Sequence, residues 1–217
     1  MQPINRAENS SADAERVRTT LFRRASLTQI MRKTLEFCRN RRTFAETEGF
    51  MAGVAEMRYS DQAPATIIDM LVDAGALTKI CVDNAGNDIP AAKLASLSED
   101  QVDDLVRSYA LQSTAAAVRV IGAMHPEDLL NELFEKHPDR VAFYRGTLEA
   151  CRKPQSFKDL EALLADVKNL PSSNEYSSLP LYPSAIVGAL EKAGGLVWED
   201  AWFTTDAGDA MLAPQIR

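Results

Sequence analysis

The residues best suited to chemistry in this chain are the arginines near its start. Arg16, Arg18, Arg23, Arg24, Arg32, Lys33, Arg39, Arg41 and Arg42 fall within the first 42 residues. Each guanidinium offers a planar fork of donors that matches a phosphate. Arg16, Arg18, Arg23, Arg24, Arg39, Arg41 and Arg42 are therefore the candidate nucleic-acid contacts. Residues 1–42 hold ten Lys or Arg against four Asp or Glu, while the other 175 hold fourteen against twenty-seven. A body of that sign repels a phosphate backbone at long range, whereas a nucleic-acid-binding protein normally shows a basic face. Two readings stay open: the arginines grip phosphates, or they are solvated and neutralise the acidic body of this chain or of a partner.

Catalytic chemistry has little to work with. His125 and His137 are the two histidines, each followed by proline, with no HExxH and no Cys/His metal spacing around them. Cys38, Cys81 and Cys151 form no CxxC pair, and their odd number suggests neither a disulfide framework nor a dithiol motif. Cys38 and Cys151 sit on apolar stripes, where a thiol acts as a small buried hydrophobe. Phosphate-cradling glycine motifs are missing from the sequence. The expectation is a protein that is not an enzyme, with no catalytic, cofactor-binding or metal-binding residue. Trp198 and Trp202 flank the acidic pair Glu199 and Asp200. They either pack on their own domain or anchor a protein partner.

The elements that position these residues are announced by a repeat. TLEFCRNRRTF, residues 34–44, returns 113 positions later as TLEACRKPQSF, residues 147–157. At that offset Thr34, Leu35, Glu36, Cys38, Arg39, Phe44, Glu48 and Val54 match Thr147, Leu148, Glu149, Cys151, Arg152, Phe157, Glu161 and Val167. Six extra residues follow within KNLPSSNEYSSLPLY, and PATIIDMLVDAGAL (64–77) then aligns with PSAIVGALEKAGGL (183–196). A loop insertion is cheap because closure entropy grows only logarithmically with length.

Each repeat predicts three helices and a hairpin. Leu27, Ile30, Met31, Thr34 and Cys38, like Val141, Tyr144, Leu148 and Cys151, keep the spacing of one buried helix stripe. Thr43 with Glu46, and Ser156 with Asp159, read as capping boxes opening a second helix. Pro64 and Pro183 suit the first turn of a third helix, and Gly75 and Gly194 its stop. LTKICVDNAGNDI and GLVWEDAWFTTDAG then read as strand, turn and return strand. Between the repeats, Ser98 to Gln101 predicts a capped helix with Val102, Leu105, Val106 and Tyr109 on one stripe, and HPEDLLNELFEKHP a short helix bounded by prolines.

Three helices followed by a β-ribbon is the winged-helix order. LEKAGGLVWEDAWFTTDAGDAML, residues 190–212, resembles the passage from recognition helix to wing in winged helix-turn-helix repressors. Phe203, Thr204 or Thr205 and Gly208 stand where that family closes its wing with an aromatic, a threonine and a glycine. The first copy, reading DNAGNDIP, lacks the pattern. The resemblance implies a mainly α fold with small β-hairpins, of the α+β class, built as two winged-helix domains related by internal duplication. The expected organisation is a flexible, basic-leaning arm over 1–15, winged-helix domain 1 over 16–92, a helical connector over 93–137 and winged-helix domain 2 over 138–217.

Family resemblance implies DNA binding through the third helix, whose outward face reads base edges with Arg, Lys, Asn, Gln, Ser or Thr. The outward sets here are Ala65, Thr66, Asp69, Met70, Val72 and Asp73 in the first copy, and Ser184, Ala185, Gly188, Ala189, Glu191 and Lys192 in the second. Those faces are acidic or small, and function is argued from the site. The reading is a non-enzymatic interaction or scaffold module within transcription-related regulation, with Trp198, Trp202, Met70, Ala185 and Ala189 as candidate protein contacts. The partner is another protein or a second copy, as in a homodimer. The alternative is a DNA-binding regulator that relies on the Arg-rich region and on dimer geometry.

Bulk composition agrees with one ordinary core or two small ones: 217 residues, 46% apolar and 25% charged, at a net charge of −7. No apolar run approaches the roughly 18 to 20 residues of a membrane span, and the first residues lack a signal-like apolar stretch, so a cytoplasmic location is expected.

Overall fold

The computed structural model describes residues 4–169 and 180–213. Residues 170–179, most of the stretch KNLPSSNEYSSLPLY that holds the extra residues of the second repeat, lie outside that set. The described chain is mainly helical with two small antiparallel sheets, an α+β fold. No helix among the described residues is long and apolar enough to cross a membrane. The chain divides into two compact units, one holding residues up to Arg23 with Ile30–Gly122, the other holding Arg24–Gln29 and the residues from Ala123 onward.

The first unit carries α1 (Ile4–Phe22), most of α2 (Ala25–Phe37), β1 (Arg42–Thr43), α3 (Phe44–Ala52), a 3-10 turn (Ala55–Tyr59), α4 (Pro64–Asp73) and β2 (Leu77–Val82). Then come α5 (Ala91–Leu94), α6 (Glu99–Leu105), β3 (Ser108–Ser113) and α7 (Ala115–Gly122). α1 thus begins within the stretch read as an arm, and Val17 and Leu21 on it are fully buried. The sheet order is β1-β3-β2, with Leu77 opposite Ser113, Val82 opposite Ser108 and Arg42 opposite Leu111.

In the second unit, α8 (Pro126–Lys136) leads into a 3-10 turn (Pro138–Arg140), α9 (Val141–Ala150), α10 (Phe157–Leu163) and another 3-10 turn (Ala165–Asn169). α11 (Pro183–Lys192), β4 (Leu196–Trp198), β5 (Trp202–Thr204) and α12 (Asp206–Ala210) follow. β4 and β5 form a tight antiparallel ribbon, and Gln155 bridges to Trp202 on its far edge.

Local rules set the same boundaries in both units. Thr43 and Ser156 each accept from the N3 amide while Glu46 and Asp159 reach back to the cap amide, which are complete capping boxes. Those bonds hold both carboxyls below their usual range. Pro64 and Pro183 open α4 and α11. Both helices end in a Schellman turn: Ala76 N–H donates to Leu71 O at 2.8 Å and Gly75 N–H to Val72 O at 2.9 Å, while Gly195 and Gly194 donate to Leu190 O and Glu191 O at 2.8 and 3.0 Å. Gly75 and Gly194 sit at φ +71° and +79°, where a side chain is strained.

The closure of each sheet onto the first helix of its repeat uses the same set of bonds. Ser113 N–H donates to Cys38 O (2.8 Å) and Ser113 Oγ to Leu35 O (2.7 Å). Thr114 N–H donates to Ala76 O (3.0 Å), Thr114 Oγ1 to Gly75 O (2.8 Å), and Ala117 N–H to Thr114 Oγ1 (3.2 Å). In the second unit Thr204 N–H donates to Cys151 O (2.9 Å) and its hydroxyl to Leu148 O. Thr205 N–H donates to Gly195 O (3.1 Å), its hydroxyl to Gly194 O (2.6 Å), and Gly208 N–H to Thr205 Oγ1 (3.1 Å).

Two local expectations change. The return strand expected directly after DNAG is reduced to a single bridge, Val82 with Asp88, and Ile89 N–H donating to Cys81 O. Asp83 explains the reduction, because its carboxylate takes the amides of Ala85 and Asn87 and turns the chain locally. α5 and α6 intervene before β3 supplies the full partner strand. The expected stripe through Tyr109 stops at Leu105, because Arg107 N–H donates to Val82 O and draws Tyr109 into β3. The bonds that Thr204, Thr205 and Gly208 make in the second unit are therefore made in the first by Ser113, Thr114 and Ala117, downstream of DNAGNDIP.

Candidate interaction surfaces

Five of the seven candidate nucleic-acid arginines have internal employment. Arg16 donates from Nε to Ala74 O at 3.1 Å, capping the C-terminal end of α4, and pairs with Asp13 at 2.7 Å. Arg18 lies over the Phe22 ring, 5.2 Å from its centroid. Arg39 pairs with Glu36 at 2.9 Å, as Arg152 does with Glu149 at 3.0 Å in the second repeat. Arg41 grips Asp88 with both terminal nitrogens. Arg42 stacks over Phe37 at 4.6 Å, and Phe37 is itself stacked on Phe50. Arg23 is exposed at the end of α1, and the Arg24 carbonyl accepts from Thr28. Exposed pairs of this kind add little stability. They do place a carboxylate beside Arg16, Arg39 and Arg41, which lowers the local positive potential.

The third-helix faces are poor in cations. α4 exposes Thr66, Asp69 and Asp73, with Ala65, Met70 and Val72 half-buried. Lys79 on β2 is drawn to this side, 3.7 Å from Asp69 and 4.5 Å from the centroid of Tyr109. α11 exposes Ser184 and Ala185, with Gly188, Ala189, Glu191 and Lys192 half-buried. Burial pushes the Glu191 carboxyl up to about 7, against the pull of Lys192. Ala185 and Ala189 lie one turn apart, so α11 presents a narrow strip of small side chains edged by a carboxylate.

Trp198 and Trp202 are opposite each other in the β4–β5 ribbon, with rings edge to face at 5.3 Å. Both are half-buried, and Asp200 at the tip holds φ +63° between them. Glu199 and Asp200 are exposed beside the pair. The tip therefore offers aromatic edges and negative charge together.

Burial sets the behaviour of two thiols and one histidine. Cys38 and Cys151 are buried, which raises both thiols, Cys151 to about 11. His137 is held below its usual range first by burial and then by the neighbouring Arg140 charge.

Arg140 itself escaped the sequence reading. It is 6% exposed, and its Nε and Nη2 atoms are buried without a hydrogen-bond partner. The signal was available in the repeat, since the 113-residue offset pairs Arg140 with Leu27, a position where the first repeat is apolar and 1% exposed.

Compared with known proteins, the chain matches no family model, no curated protein and no solved structure.

Proposed function

We propose that the chain is a pair of winged-helix domains derived by internal duplication, acting without catalysis as a protein-interaction or scaffold module within transcription-related regulation. Support for the duplication comes from the shared capping boxes, paired Schellman glycines and matching wing-closure bonds. The sheet order β1-β3-β2, with the return strand between the other two, is consistent with a winged helix whose first wing carries α5 and α6 as an insertion. α11 followed by a tight ribbon and α12 is consistent with a second, uninterrupted one.

The observation that carries the interaction reading is the chemistry of the third-helix faces. A helix that enters the major groove needs donors aimed at bases and no unpaired carboxylate near phosphates. α4 exposes Asp73 and Asp69, the latter held by Lys79 at 3.7 Å, and α11 offers a small strip with Glu191, so both faces are poor in the donors that base reading needs. Small side chains suit close approach of a protein surface instead, and a half-buried tryptophan pair supplies the kind of aromatic anchor on which interfaces depend.

Mobility of random duplex DNA at low salt tests this directly, because phosphate binding is strongest there. No retardation is expected. A salt-sensitive shift removed by joint Arg23→Gln, Arg39→Gln and Arg41→Gln substitution would establish the DNA-binding alternative. Size-exclusion chromatography with light scattering reads the self-association arm, with Ala185→Arg and Ala189→Arg expected to dissolve a dimer built on α11.

A further inference from the structure

We propose that the Nε–Nη2 edge of Arg140 is a binding site for a carboxylate. These two nitrogens lie on the same side of the guanidinium and form the fork that takes both oxygens of a carboxylate at once. Both are buried and unbonded. The one acid beside them, Asp139, keeps Oδ2 at 3.6 Å from Nε, beyond hydrogen-bond range, and its side chain is 42% exposed. Asp139 is thus an ion-pair neighbour that leaves both nitrogens of the fork without a hydrogen bond among the described residues.

Position adds to the case. Arg140 is the N-cap residue of α9, a ten-residue helix with no side-chain cap bond, so a cation stands at the positive end of a helix dipole. Further cations stand close by: the Arg140 and Lys136 charges both act on His137, and the Arg145 guanidinium lies 5.7 Å from the Phe134 ring that stacks on Tyr144, whose side chain shares a hydrogen bond with the Arg140 guanidinium. Asp139 is the sole carboxylate acting on His137 and Tyr144 in this cluster among the described residues. Burial of the two unbonded nitrogens and a like-signed dipole both disfavour the charge, and a bound carboxylate relieves both. If the chain is a duplication, the matching position is served by Leu27, buried and apolar. The proposal rests on that reading for the Leu27 comparison and on nothing else in it.

The edge is covered, so the ligand is small or enters as the Pro138–Arg140 turn opens, and formate satisfies either route. Full-length protein is melted in sodium formate and in sodium chloride at equal ionic strength. Formate is expected to raise the wild-type Tm by about 3 °C at 100 mM, increasing with concentration. Arg140→Lys, which keeps the charge and loses the fork, and Arg140→Leu, which restores the residue of the first repeat, are expected to show no formate response. N-acetylglutamate amide in place of formate separates the sources: a response to both marks the side chain of a protein partner, and a response to formate alone marks a free small carboxylate. Equal melting of the wild type in both salts, or an unchanged formate response in Arg140→Lys, overturns the site. So does a response that appears only in Asp139→Asn, because the fork then serves Asp139. Failure of Arg140→Leu to fold counts against the duplication, while wild type and Arg140→Lys still decide the site.

Discussion

Replacing Gly208 by alanine sets two opposed effects against each other. Gly208 lies in α12, where alanine is the better helix former by about 1 kcal/mol. Its Cα, however, packs onto the helix stop of α11: a Cβ built there meets Gly195 O at 2.4 Å, Thr204 Cγ2 at 2.8 Å and Leu148 Cδ2 at 3.0 Å. A carbonyl oxygen cannot rotate away, so α12 has to withdraw by roughly 0.8 Å to reach an ordinary contact, with a strain on the order of 1–3 kcal/mol. Withdrawal also stretches the Thr205 bonds to Gly194 O and Gly195 O, each contributing about 1 kcal/mol. Packing wins, and the net loss is about 1–3 kcal/mol, or roughly 3–10 °C in Tm for a chain of this size. Gly146→Ala is the control. Gly146 is exposed in mid-α9 with nothing within 4 Å of a new Cβ, so helix propensity acts alone and Tm rises by about 1–4 °C. Thermal unfolding by circular dichroism reads both. A Gly208→Ala protein that melts at or above the wild type would refute the close approach of α12 to Gly195.

Three further outcomes follow from the same geometry. Thr114→Ala and Thr205→Ala each remove a hydroxyl that accepts from a helix amide and donates to a helix-stop glycine, and each is expected to cost about 1–2 kcal/mol in urea unfolding. The Glu191 carboxyl is raised to about 7 in the folded chain against about 4.5 unfolded, so the fold binds the extra proton and loses stability as pH climbs from about 4.5 to about 7. Glu191→Gln should therefore raise Tm at pH 8, by at most about 3 kcal/mol of stability and less where water reaches the carboxyl, and leave it unchanged near pH 4.5. Native protein at pH 8 should react with a thiol reagent at Cys81 alone, Cys38 and Cys151 becoming reactive only on unfolding, as mass spectrometry of the labelled peptides would read.

Much of the backbone plan was legible because it is written locally. A capping box occupies four consecutive residues, a proline start one, and a glycine stop one, so Thr43, Ser156, Pro64, Pro183, Gly75 and Gly194 marked real boundaries without any knowledge of packing. The buried stripe was equally readable, since Leu27, Ile30, Met31, Thr34 and Cys38 are all fully or almost fully buried. The first sheet was not, because its second and third strands are separated by 25 residues that hold two short helices. Asp83 makes DNAGN a locally satisfied turn, and local satisfaction reads as a hairpin whether or not the next residues pair. Pairing of β2 with β3 is a long-range outcome.

Charge was the hardest property to carry from sequence to site. A surplus of six positive charges over the first 42 residues is a fact of composition, and composition governs long-range steering. Binding at contact distance depends on which cations have their donors unspent, and here Arg16 is committed to a helix end, Arg41 to Asp88 and Arg39 to Glu36. Removing residues 1–42 to test their charge would also remove Val17, Leu21, Leu27, Ile30, Met31, Leu35 and Cys38 from the core. Arginine-to-glutamine substitution is the change that separates the two roles. The opposite case is Arg140, one charge in an acidic half of the chain, invisible to any count and yet a cation whose Nε and Nη2 are buried without a hydrogen bond. What distinguishes them is the partner within 3 Å, and the residue proposed for recognition is the one that the 113-residue offset pairs with an uncharged residue, Leu27.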